Sequence, residues 1–138
     1  MASIAAAREQ GNRTPDATRP KILVVEDEYL LAAELEHHLQ QAGFTVVGIA
    51  STAEEALEFA TWEKPDLAVM DIRLAGPRDG IDAAIHLRSQ LGIPSIFASA
   101  HADEATRKRS EAAQPLGWLD KPFSGSALIA LVKKAITR

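Results

Sequence analysis

The chain has 138 residues, of which 46% are hydrophobic and 25% are charged, with a formal net charge of -4 and no cysteine. These totals are typical of one globular domain, and they exclude disulfides and cysteine-ligated zinc or iron–sulfur sites. The acidic balance gives no reason to expect a nucleic-acid partner. No apolar stretch approaches the roughly 20 residues that cross a bilayer, and no signal peptide is evident. We therefore expect no membrane association and a cytoplasmic location.

The first segment, residues 1–20, mixes Arg, Pro, Asp, Thr and Gly without hydrophobic periodicity. Such a composition is typical of a disordered, solvated tail, and a docking segment is the alternative interpretation. We therefore place a single domain at residues 21–138. The tail and the start at Met1 favour a single-domain protein over a fragment of a larger one.

From Lys21 onward, short aliphatic runs alternate with longer stretches of helical periodicity. The run KILVV at residues 21–25 is typical of a strand buried on both faces. The stretch after it has leucines at helical spacing and ends at Gly43, a residue typical of helix C-termini. Ser51 or Thr52, with an acid three residues further on, indicates the start of another helix. The predicted strands are residues 21–25, 44–50, 66–70, 93–99 and 116–119, and the predicted helices are residues 28–43, 51–62, 79–92, 102–114 and 124–138.

Five strands that alternate with five helices predict an open, doubly wound α/β sheet with parallel strands and both faces covered. In such a sheet, functional residues collect at the carboxyl ends of the strands. The side chains that follow the predicted strands combine acids with one hydroxyl and one lysine. They are Glu26, Asp27 and Glu28 after the first strand, Asp71 after the third, Ser99 after the fourth and Lys121 after the fifth.

Four segments carry a family resemblance: ILVVEDE, DLAVMDIRL, IFASAHAD and GWLDKPF. In order and spacing they resemble the signature segments of the receiver domain of two-component response regulators, over residues 21–138. The resemblance implies a flavodoxin-like (CheY-like) sheet of order 2-1-3-4-5. It also implies that Asp71 accepts a phosphoryl group from a phosphohistidine, and that the bond between Lys121 and Pro122 is cis.

The same resemblance implies Mg²⁺ as the cofactor. Charge favours this, because Asp27 and Asp71 on adjacent strands would repel each other without a cation, and Mg²⁺ prefers carboxylate ligands. Catalysis of phosphoryl transfer depends on stabilising charge on the phosphoryl oxygens. The implied metal ligands are Asp27, Asp71 and the backbone carbonyl of Arg73, with Glu26 acting through water, and the groups that stabilise the phosphoryl oxygens are Lys121, the Ser99 hydroxyl and the Ala100 amide.

Two further pairs of residues are assigned by position in the family. Ser99 and Trp118 match the switch positions, with tryptophan where tyrosine or phenylalanine is usual; an ordinary strand aromatic is the alternative for Trp118. Arg73 and His101 stand where side chains flank the path of the attacking water, so we expect them to modulate loss of phosphate. The loop after Asp71 is one residue longer than the family pattern.

The predicted fourth helix, residues 102–114, contains no Leu, Ile, Val or Phe. A helix with so few apolar side chains buries little apolar area and is held weakly. We therefore expect the surface formed by the fourth helix, the fifth strand and the fifth helix to change on phosphorylation.

The leading hypothesis is a phosphoacceptor response regulator of a two-component or phosphorelay pathway. Its partner would be a sensor histidine kinase or a histidine phosphotransfer protein, and a homodimer is left open. Such a domain catalyses its own aspartyl phosphorylation and dephosphorylation without being a conventional turnover enzyme. The alternative is a receiver-fold interaction module that works without phosphorylation. A phosphohydrolase of the haloacid-dehalogenase type would need D-x-D after the first strand, where this chain has EDEY.

Overall fold

A computed structural model of the chain describes residues 19–100 and 102–137. The tail predicted at residues 1–20 therefore lies almost wholly outside the described residues, as does His101. Within the described part, strands and helices alternate as the sequence predicts. They are β1 (Lys21–Val25), α1 (Tyr29–Gln41), β2 (Thr45–Ala50), α2 (Ala53–Glu63), β3 (Leu67–Asp71), α3 (Gly80–Leu91), β4 (Ser95–Ser99), α4 (Glu104–Ser110), β5 (Trp118–Asp120) and α5 (Gly125–Thr137), with a 3-10 turn at Glu111–Ala113 after α4.

The five strands form one sheet of order β2-β1-β3-β4-β5, which confirms the predicted order. All of its strand pairs are parallel. The chain moves from β1 to one side for β2 and returns to the other side for β3. The order of the sheet therefore reverses between β1 and β3, which is where ligands bind in open α/β sheets.

The core has one layer on each face of the sheet, and β1 shows why its aliphatic run is continuous. Leu23 and Val25 pack on the face covered by α2 and α3, whereas Ile22 and Val24 pack on the face covered by α1 and α5. Side chains alternate between the two faces of a strand. A strand covered on both faces therefore needs an apolar residue at every position.

The helix starts follow the capping signals in the sequence. The Thr52 hydroxyl accepts the Glu55 amide at 3.0 Å at the start of α2, as predicted. At the start of α3, Asp79 and Asp82 each accept the other's backbone N–H, in a reciprocal capping box. The N–H groups at a helix start have no partner within the helix, and these side chains supply one.

The fourth helix is shorter than the predicted residues 102–114, and the prediction of one continuous helix is wrong. The Ser110 hydroxyl donates to the Arg107 carbonyl at 2.7 Å, the oxygen that a regular helix offers to the amide of Glu111. That amide bonds to Lys108 instead, so the chain tightens into the 3-10 turn. Serine side chains that bond back to the preceding turn are known to bend helices.

No helix within the described ranges is long and apolar enough to cross a membrane.

Candidate functional site

Three carboxylates meet at the carboxyl ends of β1 and β3. Val25 lies beside Met70 in the parallel register, so Glu26 and Asp27 follow β1 where Asp71 ends β3. Carboxylate oxygens of all three lie within 4.8 Å of one another. Glu26 is 3% exposed and Asp71 is 7% exposed, whereas Asp27 is exposed to solvent. This arrangement concentrates negative charge at the point where the sheet order reverses.

Lys121 places a positive charge beside this cluster. Its Nζ atom lies 3.0 Å from Oε1 of Glu26 and 3.4 Å from Oδ1 of Asp71. The Lys121 amide donates to the Ser99 carbonyl at 2.8 Å, which holds the lysine at the end of the sheet. The bond between Lys121 and Pro122 is cis. The predicted lysine and acids are therefore brought together across the sheet.

The site's electrostatics keep Lys121 charged. Burial alone would lower the pKa of Lys121, but the hydrogen bond from its ammonium to Glu26 and the charge of Asp71 outweigh burial and raise that pKa above its ordinary 10.5. Burial raises the pKa of Glu26 above its ordinary 4.5, despite its bonds with Lys121 and with the amide of Glu28. A buried carboxyl beside another carboxylate favours a nearby cation. The lysine meets this need only in part, since it is one charge facing three carboxylates.

A cleft of about 240 Å³ opens beside Asp71. Ser99 is 5% exposed at the end of β4 and lines this cleft. Two residues of the α4 region, Asp103 and Thr106, form another part of its wall. The lining is completed by Ile72, Arg73, Ala100 and Lys121. Four of the predicted site residues thus border one space with Asp71.

Trp118 lies away from the cleft. Its half-buried ring contacts Phe97 of β4, with ring centroids 5.0 Å apart and planes inclined by 37°. The Arg107 guanidinium lies over the same indole, 4.5 Å from the ring centroid. The ring therefore lies between Phe97 of β4 and Arg107 of α4, outside the lining of the cleft.

The start of α3 is a part of the site that the sequence analysis missed. The Gly80 amide donates to the Ile72 carbonyl at 2.7 Å. A Cβ atom at Gly80 would collide with the carbonyl oxygen of Asp71, so only glycine allows α3 to begin this close to the end of β3. The signal was the Asp-Gly pair at the start of a predicted helix. The missing side chain of Gly80 lets the start of α3 approach the backbone of Asp71 and Ile72 closely.

A family model for the response regulator receiver domain matches residues 22–133. The chain belongs to the receiver domains of response regulators. The matched residues include the acidic cluster, Lys121 and the residues that line the cleft.

Two curated relatives show how this receiver domain compares with longer proteins. The transcriptional regulatory protein PdtaR of Mycobacterium tuberculosis is 37% identical over 124 residues, which cover 89% of this chain and 60% of that protein. The phyllosphere-induced regulator PhyR of Methylorubrum extorquens is 33% identical over 130 residues, which cover 93% of this chain and 48% of that protein. The chain thus spans about half to three fifths of the length of these relatives.

Solved receiver domains have the same fold. The signal receiver domain of a modulated diguanylate cyclase from Desulfovibrio desulfuricans superposes with a TM-score of 0.81 at 35% identity, covering 86% of this chain and 94% of that one. The PhyR receiver domain of Erythrobacter litoralis gives a TM-score of 0.77 at 32% identity, covering 86% and 91%. A CheY-like receiver from Methanospirillum hungatei, at 23% identity and a TM-score of 0.80, has the same fold.

Proposed function

We propose that Asp71 accepts a phosphoryl group from a phosphohistidine, in a two-component or phosphorelay pathway. The observation that carries the proposal is the position of Asp71. Its carboxylate touches the Lys121 ammonium at 3.4 Å and also lines the open cleft, whereas Glu26 and Asp27 do not line it. A nucleophile needs both access for the donor and a positive group beside the oxygens of the incoming phosphate.

The donor set at this site fits Mg²⁺. Clustered carboxylate oxygens, two of them on buried side chains, are the ligands that this hard cation takes. Asp27, Asp71 and the carbonyl of Arg73 would hold the ion, with Glu26 acting through water, as the family resemblance implies. When bound, the ion would neutralise negative charge on the phosphoryl oxygens.

The chemical step that we propose uses this chain's own residues. An oxygen of the Asp71 carboxylate attacks phosphorus, an O–P bond forms and the P–N bond to the donor histidine breaks. The histidine nitrogen leaves with the electron pair of that bond. The Lys121 ammonium, the Ser99 hydroxyl and the Ala100 amide then stabilise the negative charge of the phosphoryl oxygens.

The proposed partners follow from this step. The donor is a histidine kinase or a histidine phosphotransfer protein, the kind of partner that receiver domains have in general. The response that we propose is a movement of Ser99 toward the phosphoryl group and of Trp118 with it, which changes the surface of α4, β5 and α5. Arg73 lines the cleft, which supports its proposed effect on phosphate loss; the same role for His101 stays a prediction.

Phosphorylation of the whole chain by acetyl phosphate tests the proposal directly. With Mg²⁺, we expect intact-mass spectrometry to show the gain of one phosphoryl group. Asp71→Asn and an excess of EDTA should each abolish the gain, and Asp27→Ala should slow it. The matched control is Asp66→Asn, which replaces an exposed aspartate next to the opposite end of β3. Equal labelling of wild type and Asp71→Asn would exclude Asp71 as the acceptor, whereas no labelling of wild type would favour the phosphorylation-independent alternative.

A further inference from the structure

The fourth helix is held in place mainly by polar contacts. Between Glu104 and Ser110 its only buried residue is Ser110. Arg109 reaches α3, where its guanidinium pairs with Asp79 and also lies 3.6 Å from Asp82. Because the helix offers no aliphatic side chain to the core, contacts of this kind decide where it lies.

The second arginine contact of α4 is with Trp118. The Arg107 guanidinium carbon lies 4.5 Å from the centroid of the indole, within the range of a cation–π interaction. Its Nη2 atom also lies 3.7 Å from Oδ1 of Asp120, two residues further along β5. Arg107 therefore has a ring and a carboxylate as partners on the same strand. Phe97 contacts the ring from β4, so the indole has a defined position.

The neighbours of Arg107 connect this contact to the candidate site. Thr106, the preceding residue of α4, lines the cleft beside Asp71. Asp120, the partner of Arg107, lies beside Ser99 in the parallel register. The contact of Arg107 with Trp118 joins α4 to β5. A change at the cleft that displaces Ser99 or the start of α4 therefore acts on this contact.

We infer that Arg107 is a positioning residue that holds Trp118 in the position seen here, against Phe97 and under α4, and thereby opposes phosphorylation of Asp71. The inference rests on the proposed function, because it concerns the conformational change that accompanies occupation of the Asp71 site. A contact that is lost when a ligand binds favours the conformation that contains it, by the free energy of the contact. By linkage, removing the contact strengthens binding of any ligand that prefers the other conformation.

The expected change in beryllofluoride affinity follows from the strength of exposed cation–π contacts. Loss of one such contact corresponds to a factor of about two to five in an equilibrium constant. Arg107→Ala should therefore lower the beryllofluoride concentration needed for half-saturation, in the presence of Mg²⁺, by about two- to fivefold. Arg107→Lys keeps a positive charge near Asp120 but loses the planar group over the ring, so its shift should be smaller.

Two measurements are needed, one of beryllofluoride binding and one of the exposure of Trp118. Fluorine NMR of bound beryllofluoride gives the binding midpoint without using tryptophan. Trp62 and Trp118 are the only tryptophans, so Trp62→Phe leaves Trp118 as the sole fluorophore. In that background, and without ligand, Arg107→Ala should increase quenching of Trp118 by acrylamide. This neutral quencher is needed because an anionic one would itself respond to the loss of Arg107.

Arg109→Ala is the matched control, because it removes the other arginine contact of α4 and leaves Trp118 untouched. We expect its beryllofluoride midpoint to shift less than that of Arg107→Ala, because only Arg107 contacts Trp118. An unchanged midpoint in Arg107→Ala would overturn the inference and leave the proposed function intact. An equal shift in Arg109→Ala would also overturn it, since loosening of α4 alone would then explain the effect. If wild type bound no beryllofluoride, the proposed function would fail and this inference with it.

Discussion

The helices before and after β5 are attached to the domain in opposite ways. In α5, Leu128 and Val132 are 0% exposed and pack with Leu119 on the face shared with α1. In α4, the arginines contact Trp118 and three aspartates, Asp79, Asp82 and Asp120, and the helix itself buries only Ser110. One helix is thus anchored by apolar burial, and the other by charged groups near solvent.

This difference shows which part of the surface can move at low energetic cost. Burial of a leucine or valine side chain stabilises a helix by about 1.5–3 kcal/mol each, whereas an exposed ion pair or cation–π contact contributes about 1 kcal/mol or less. The proposed phosphorylation of Asp71 would therefore displace α4 with far less work than α5. The placement of Thr106 at the cleft puts the weakly held helix next to the site.

The largest expected effect is on the free energy of unfolding, from a change at Leu128 of α5. Leu128→Ala should lower the free energy of unfolding by about 2–5 kcal/mol, because it leaves a cavity in a fully buried cluster. Urea denaturation followed by circular dichroism measures this. The matched control is Leu30→Ala on α1, where the leucine is 74% exposed and the change should stay within about 0.5 kcal/mol. A cost below about 1 kcal/mol for Leu128→Ala would contradict the comparison.

A smaller effect is expected at the contact between α4 and α3. Asp79→Ala removes both the cap of α3 and a partner of Arg109, and should lower the free energy of unfolding by about 1–2 kcal/mol. Asp79→Asn keeps a good capping residue but loses the charge, so it should cost less overall. Both variants should speed hydrogen exchange in α4 and leave α5 amides protected. Unchanged α4 exchange in Asp79→Asn would show that the Arg109 pair does not hold the helix.

The smallest expected effect is a local loss of exchange protection in α4 at acid pH. Burial alone would raise the pKa of Asp79, but hydrogen bonds from the Asp82 amide and the Arg109 guanidinium outweigh it and hold that pKa below its ordinary 3.8. A carboxyl with a lowered folded-state pKa contributes stability that is present above pH 3.8 and is lost as the pH falls through the folded value. Below pH 3.8, α4 should therefore lose exchange protection before α5 does.

Exchange protection factors at several acid pH values test this order. In Arg109→Ala, the acid-dependent difference between α4 and α5 should shrink, because protonation of Asp79 then releases no partner. If the variant kept the full wild-type difference, the acid response would come from other carboxyl groups.

Much of the fold could be predicted because its signals are local. Continuous aliphatic runs such as residues 21–25 indicate strands buried on both faces, and the order of the sheet followed from the family resemblance. The meeting of the acids at the ends of β1 and β3 could also be predicted, because parallel strands bring their carboxyl ends to one edge of the sheet. The length of α4 could not, because the Ser110 hydroxyl competes with the backbone for the Arg107 carbonyl.

By itself, the sequence determined the alternation of strands and helices, the two-sided core and the set of charged residues at the sheet edge. Only the tertiary structure decided which charges meet. Arg109 and Asp79 are 30 positions apart, and Lys121 and Glu26 are 95 apart, so no local pattern pairs them. It also decided that Gly80 must lack a side chain beside Asp71. The physical reason is the same in each case: ion pairs and close approaches depend on distances that exist only after the sheet has brought its strands together.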